Sequence, residues 1–308
     1  MENEKKSLGV FIHFSNSKYI PYYVLLYLRE LTHHFDEVIF IANKRSIKNE
    51  KALHHSNVKT HFVKNEGYDL GMFYKVFQTI NPDDYRQIAC INDSNILFNK
   101  LTTIFSWGKS SGMDFWGLID SHERPPFSTH EENYHIQSHF LVFNEKAVAL
   151  LPEYFSSIDM ENIFKEADVQ KLRHRVIDQW EIGVSRFMIN NGLKIGSYIN
   201  GQIYTNLYIP GELQNISRRL YPHLIEAGYP LIKKKVIMDR QLKHYLKLMP
   251  SWKKLMRQYG SKDWAIENLV QEMTEIRNKS PKRISNKIKK HLQNVRILPL
   301  NMNEESHG

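Results

Sequence analysis

Two short stretches of this chain combine residue types that can hold a phosphate or a cation. Asn65-Glu66-Gly67-Tyr68-Asp69-Leu70-Gly71 follows the apolar run His61-Phe62-Val63, and Asn92-Asp93-Ser94 follows Gln87-Ile88-Ala89-Cys90-Ile91. Each run has strand length, and each stretch leads into a segment that reads as a helix. Polar groups at the carboxyl ends of neighbouring strands form the crevice where open α/β sheets bind nucleotides. In the first stretch, the two glycines permit close backbone approach and positive φ, and the N–H groups of a helix start suit a phosphate or sugar oxygen. An ordinary junction with Asp69 as helix cap has the same spacing. In the second, Asp93 offers one carboxylate at a strand end. Mg2+ needs only one or two protein carboxylates beside substrate oxygens. Asn92 and Ser94 supply no second acid, however, and Asp93 would equally cap the next turn.

Two further groups are titratable. Glu181 in Trp180-Glu181-Ile182-Gly183-Val184-Ser185-Arg186 falls at an expected helix start. The positive end of the helix dipole would keep it ionised, which suits a general base, although an N-terminal Glu on a surface helix is common. His135 and His139 are four apart in His135-Ile136-Gln137-Ser138-His139-Phe140-Leu141-Val142-Phe143. On a strand that spacing gives them one face. No Glu lies between them in a zincin pattern, so a polar cluster at the mouth of the sheet is expected rather than a zinc protease. The single cysteine, Cys90, excludes an internal disulfide and a Cys-based zinc site. Its place in an apolar run makes it a buried small hydrophobe rather than a nucleophile.

The elements that must position these groups alternate between strand and helix over the first two-thirds. Strands are expected at Leu8–Phe14, Glu37–Ala42, Val58–Lys64, Arg86–Ile91, Asp114–Ile119 and Ser138–Phe143. Helices are expected from Pro21 to about His33, over Ser46–His55, from Asp69 to Ile80, and over Trp180–Asn191 with Gly192 as C-cap. This order predicts an α/β fold, a mostly parallel sheet flanked by helices. From about Leu231 the pattern is helical and basic, broken at Pro250, Gly260 and Pro281. The expected organisation is residues 1–230 as one α/β domain and 231–308 as a basic helical appendage.

The chain has 308 residues, and 42% of them are apolar, enough for a large core and against wholesale disorder. The apolar run Leu8–Phe14 is too short for a secretory h-region, and no run reaches the roughly 18 residues of a membrane span. A cytoplasmic location is expected. The formal net charge is +9, and it is concentrated: residues 231–296 carry 18 Lys and Arg against 5 Asp and Glu.

Taken in order, these segments resemble the rhamnan synthesis protein F family of bacterial polysaccharide glycosyltransferases. The resemblance rests on His13-Phe14, Tyr27-Leu28-Arg29-Glu30-Leu31, the 65–71 and 92–94 stretches, Asp114-Phe115-Trp116-Gly117-Leu118, residues 135–143, Glu181–Arg186, and Gly228-Tyr229-Pro230-Leu231-Ile232-Lys233-Lys234. It spans roughly residues 8–238. It implies a GT-A-like, Rossmann-type fold that transfers a sugar, with rhamnose favoured, from a nucleotide-sugar donor to a growing surface polysaccharide with inversion. By position, Asp93 would hold a divalent cation, Mg2+ or Mn2+, and the donor diphosphate, with Asn92 and Ser94 assisting. Asn65, Gly67 and Asp69 would line the donor pocket, and Glu181 would deprotonate the acceptor hydroxyl. Asp114, Trp116, Gln137 and Ser138 would shape the sugar or acceptor pocket, although Trp116 would equally suit the core.

The basic segment, with Lys233-Lys234-Lys235, Lys253-Lys254 and Lys282-Arg283 among Leu242, Leu246, Trp252 and Leu255, suits an anionic membrane surface. Glycan acceptors linked to lipid reside there, so peripheral attachment to the inner face of the cell membrane is the companion expectation. A solvated helical face would have the same composition. No nucleic-acid-binding motif accompanies the charge. A non-catalytic sugar-binding or scaffold module is the competing reading, supported by the lone acid at Asn92-Asp93-Ser94. A dinucleotide enzyme is disfavoured, because Ser15-Asn16-Ser17-Lys18 follows the first strand where a Gly-x-Gly-x-x-Gly turn would be needed.

Overall fold

The computed structural model describes residues 4–15, 17–43, 48, 50–53, 57–210, 216–239 and 250–279. The chain alternates β1 (Lys6–His13), α1 (Tyr22–Leu31), β2 (Glu37–Ala42), β3 (Val58–Phe62), α2 (Tyr68–Phe77), β4 (Tyr85–Asn92), β5 (Asn95–Leu97) and α3 (Thr102–Ser110). It continues through β6 (Phe115–Ser121), β7 (His135–Ile136), β8 (Phe140–Asn144), α4 (Glu145–Ser156), α5 (Met160–Lys165) and α6 (Val169–Val176). A π-helical turn over Ile177–Ile182 joins α6 to α7 (Gly183–Asn190). Next come β9 (Ile195–Ile199), α8 (Gly201–Tyr208), α9 (Ile216–Arg219), α10 (Tyr221–Glu226) and β10 (Leu231–Lys233). The last described elements are α11 (Lys234–Met238), α12 (Trp252–Tyr259) and α13 (Ile266–Lys279).

The expected α/β architecture is present. Eight strands form one sheet in the order β3-β2-β1-β4-β8-β6-β7, with β9 beside β6. Pairings from β3 to β4 and between β6 and β9 are parallel, while β8 runs against both β4 and β6. The central strands are near-continuous apolar runs because both faces are covered, as parallel sheets require. Leu8, Val10 and Ile12 face one core with α2, α4 and Trp180. Phe11 and Ala89 face the other, with α1, α10, α12 and α13. Gly9 is needed in β1, since a Cβ there would stand 2.7 Å from the Phe35 ring.

After β1 the chain moves outward to β2 and β3, then crosses back to β4 on the other side of β1. That reversal opens a crevice at the carboxyl ends of β1 and β4. His13 and Asn92 end those two strands, and Ile12 pairs with Asn92 in register.

Several expected elements differ in detail. Helix α2 is capped by Gly67, not Asp69, because Gly67 takes the left-handed conformation at φ 74° and leaves Asp69 in the first turn. Glu181 does not begin a helix: it lies in the π-helical turn inside the continuous helical run from Val169 to Asn190. The strand expected over residues 138–143 begins only at Phe140, so His135 lies on β7 while His139 lies in the turn before β8. Leu231–Lys233 is a strand rather than helix. Of the helix expected over Ser46–His55, a 3-10 turn at Glu50–Leu53 is described, and most of the remainder lies outside the described residues. So do Pro281 and the basic residues beyond it.

Charge changes at Leu231, but packing does not. Leu231, Ile232, Trp252, Leu255, Leu269 and Met273 belong to the same apolar cluster as Phe11 and Tyr27. Glu272 of α13 also accepts the Tyr22 and Tyr23 N–H groups at the start of α1 (2.7 and 2.9 Å). No described helix is long and apolar enough to cross a membrane.

Candidate active site

Two adjoining groups of polar residues occupy the crevice. The first centres on Asp93, which follows β4 and is 8% exposed. Its Oδ2 accepts from His13 Nδ1 (2.6 Å), Lys234 Nζ (2.7 Å) and Tyr23 Oη (3.3 Å). Lys234 also stands over the Tyr23 ring, 4.7 Å from its centroid. Burial pushes the Asp93 carboxyl up, but the His13 bond and the Lys234 charge outweigh it and hold the group below the usual aspartate range. Asp93 is therefore a firmly ionised anchor.

Lys234 reaches this position through backbone pairing. β10 runs antiparallel to β5, with Leu231 opposite Leu97 and Lys233 opposite Asn95. The next N–H, that of Lys234, donates to the Ser94 carbonyl (3.0 Å). A three-residue ribbon thus carries a C-terminal lysine onto the turn after β4.

The second group lines a cleft of about 320 Å3, walled by Tyr68, Asp69, Ser138, Arg173, Trp180, Glu181 and Lys235 among others. That volume suits a small ligand. Asn92 joins the two groups, since its Nδ2 donates to Asp69 Oδ2 (3.0 Å) while its Oδ1 accepts from the Ser94 N–H (3.1 Å). Burial raises Asp69 to about 6, and the nearby Glu181 charge adds to the shift. Burial also raises Glu181, against the lowering influence of Lys233, Arg173, the Ser138 backbone N–H and Lys235. Burial lowers Lys233 to about 8, partly offset by Glu181. The expectation that a helix dipole keeps Glu181 ionised fails on its position. A half-buried carboxylate with a raised pKa is nonetheless the better proton acceptor near neutral pH.

The backbone around the cleft is specialised. Gly67 and Tyr68 both have positive φ, 74° and 54°, and for a tyrosine that conformation is uncommon and strained. Gly71 tolerates no side chain, because a Cβ would fall 1.8 Å from the Glu66 carbonyl oxygen. The wide π turn supplies Ile177, Trp180 and Glu181 to the wall, a placement such turns often serve at functional sites.

Of the residues singled out from sequence, Asp69, Ser138 and Glu181 meet in the cleft, Gly67 caps the helix behind it, and Asn92, Asp93 and Ser94 adjoin it. Asn65 is half-buried ahead of Gly67, outside the cleft wall. Gln137 is buried and accepts from Ser217 Oγ (3.1 Å) beside the sheet mouth. Asp114 does not belong to the site. It precedes β6 at the opposite edge of the sheet, where it accepts the Lys194 N–H (2.9 Å) and pairs with Lys146 (3.3 Å). Trp116 is a core residue, 1% exposed and edge-on to Phe105 and Trp107. The two histidines have separate partners: His135 Nδ1 meets the Asn133 carbonyl (2.6 Å), and His139 Nε2 meets Tyr229 Oη (2.7 Å). Cys90 is buried, as its apolar run required.

Sequence reasoning missed Tyr23, Arg173 and the Lys233–Lys235 triplet as site residues. The signal for the triplet was three lysines directly after a short apolar run, at the end of the last motif. Among the described residues, no group of three His, Cys, Asp or Glu could hold a metal ion. At Asp93 a lysine ammonium already sits on Oδ2. The other described partners of that oxygen are a histidine and a tyrosine rather than a second carboxylate.

The model of a family described as rhamnan synthesis protein F matches residues 25–301. The match passes residue 238, where the motif resemblance stops, and takes in most of the basic segment. No curated protein matches the sequence. Among solved structures, the glycosyltransferase GlyE of Streptococcus pneumoniae TIGR4 is similar at 9% identity and TM-score 0.38, covering 83% of this chain and 63% of that one. The 4-diphosphocytidyl-2C-methyl-D-erythritol synthase of Anaerococcus prevotii DSM 20548 is similar at 12% identity and TM-score 0.37, covering 67% and 96%. Likeness at this level says nothing about function.

Proposed function

Because the chain belongs to the rhamnan synthesis protein F family, we propose that it is an inverting glycosyltransferase of the GT-A type that uses a nucleotide-sugar donor. The observation that carries this reading is the convergence of Glu181, Asp69 and Ser138 on one cleft beside the Asn92-Asp93 turn. The donor lies across the carboxyl ends of β1 and β4, with its sugar in the cleft. Glu181 takes the proton of the acceptor hydroxyl as the oxygen attacks the anomeric carbon from the face opposite the leaving group. The bond from that carbon to the diphosphate oxygen breaks, and the electron pair leaves with the diphosphate. One carboxylate is enough for this chemistry, and its raised pKa suits the task.

Rhamnose is the proposed sugar, and the acceptor is a glycan, free or lipid-linked, of a bacterial surface polysaccharide such as O-antigen or capsule. The basic residues of the C-terminal segment would hold the enzyme peripherally at the cytoplasmic face of the membrane. Lys253, Lys254 and Arg257 of α12 are described, while residues 240–249 and 280–308 lie outside the described residues.

The competing reading is a sugar-binding scaffold without turnover. It is favoured by one observation, the engagement of Asp93 by Lys234. Donor hydrolysis over a panel of nucleotide sugars, with and without a glycan acceptor, separates the two. Turnover of at least one donor, abolished in Glu181→Gln, supports the transferase. Binding of a donor with no turnover under any condition supports the scaffold.

A further inference from the structure

We propose that Lys234 is the resident cation of the donor site, an ammonium held by Asp93 that binds the donor diphosphate, so that transfer needs no divalent ion. This rests on the glycosyltransferase reading and specifies the charge that its site uses. The first support is position. The β5–β10 register and the bond from the Lys234 N–H to the Ser94 carbonyl place the side chain at the turn after β4. That turn adjoins the crevice where a nucleotide diphosphate would lie.

The second support is valence. An ammonium has three hydrogens to donate. The described hydrogen bonds of Lys234 use one of them, on Asp93 Oδ2, while the same Nζ stands over the Tyr23 ring, 4.7 Å from its centroid. The side chain is 27% exposed, so the remaining hydrogens can reach phosphate oxygens. Asp93 then orients the lysine, with His13 and Tyr23 steadying Asp93.

The third support is the surrounding charge. Lys233, Lys235 and Arg173 all lie close enough to Glu181 to favour its ionised form. Arg173 and Lys235 on the cleft wall attract a diphosphate, and the Lys234 ammonium supplies beside Asp93 the positive charge that a divalent ion otherwise brings. As the bond to the anomeric carbon breaks, negative charge grows on the departing phosphate oxygen. The hydrogens of Lys234 neutralise that charge, while the acceptor proton passes to Glu181. No other reactant is required.

The test is calorimetric titration of UDP, GDP and dTDP into the full chain, in EDTA and then in Mg2+ or Mn2+, for the wild type, Lys234→Met and Lys234→Arg. The wild type should bind at least one nucleotide with the same affinity in EDTA and in metal. Lys234→Met should weaken that binding by about 10- to 100-fold, the cost of losing a charge-assisted hydrogen bond. Lys234→Arg should retain most of the affinity. Wild-type binding that appears only with metal would overturn the proposal, as would unchanged affinity in Lys234→Met. If Lys234→Met fails to fold, the wild-type comparison and Lys234→Arg still decide. A chain that binds no nucleotide under any condition would overturn the donor-site reading itself, and the present inference with it.

Discussion

Carboxylates stand at both ends of the sheet strands, and their surroundings treat them in opposite ways. At the amino-terminal edge, Asp36 accepts the Ser7 N–H and Ser7 Oγ (both 2.8 Å) and pairs with Arg86 (3.0 Å). The Ser7 backbone bond is the main reason its carboxyl sits below the ordinary range. Asp114, at the same edge, is tied to a backbone N–H and to Lys146. At the carboxyl edge, burial moves Asp69 and Glu181 the other way, and Glu181 pushes Asp69 further. A fold settles its structural carboxylates with N–H groups and cations, which fixes them as ions. Those whose pKa burial raises in a cleft are the better placed to exchange a proton. Asp93 shows that burial alone does not decide the matter, since His13 and Lys234 keep it ionised.

The contrast is tested most severely by turnover. Glu181→Gln should lower kcat by about 10^2- to 10^4-fold, the range of a lost general base, with donor KM little changed. Asp114→Asn, an equally conservative change at the other edge, should leave kcat as it was. Steady-state rates with the donor found by the nucleotide-sugar panel check both. Comparable losses in the two variants would mean that the edges do not differ as described.

Backbone geometry sharpens the same contrast at smaller amplitude. Gly71 is packed against the Glu66 carbonyl, while Gly112, in the turn before β6, has φ +67° but open space around its Cβ position. Gly71→Ala must displace backbone, and should cost about 2–3 kcal/mol of stability. Gly112→Ala carries only conformational strain, and should cost about 1 kcal/mol. Urea denaturation of the two variants measures the difference, and equal midpoints would show that the α2 junction is looser than it looks.

How far the sequence disclosed all this depends on the range of each signal. β1, β2 and β4 were legible because strands buried on both faces are unbroken apolar runs. Asp69, Asn92 and Asp93 were legible by residue type beyond the ends of such runs, and Glu181 by residue type in an expected helical segment. Asp114 was assigned to the pocket by the family resemblance, but it precedes β6 and so stands at the amino-terminal edge of the sheet. Glu181 lies inside a helix rather than at its start, since a π-helical turn leaves no breaker residue to read. Lys234 escaped notice for a different reason. The ribbon that delivers it pairs only Asn95–Leu97 with Leu231–Lys233, too few residues for periodicity to register. Its charge therefore counted with the basic C-terminal segment instead of the site.

The finest test sets the two kinds of carboxylate against each other through pH. The folded pKa of Asp69, about 6, lies above the ordinary aspartate value of 3.8, so the native state binds more protons than the unfolded chain between those values. Its contribution is most favourable below pH 4 and is lost as pH rises through 6. Asp69→Asn should accordingly raise stability at pH 7.5, by about 1–2 kcal/mol once screening is allowed for, and give little gain at pH 4. Asp36 is the reverse case, its folded pKa lying below the unfolded value. Its stabilisation is present above pH 4 and fades as pH falls through the folded pKa. Asp36→Asn should lower stability at pH 7.5 by under about 1 kcal/mol, since the side chain is half exposed, and the loss should shrink toward pH 3. Melting temperatures of both variants across pH 3–8 give the two slopes. Opposite signs at pH 7.5 are required by the picture of one settled and one poised edge, and a shared sign would collapse the distinction.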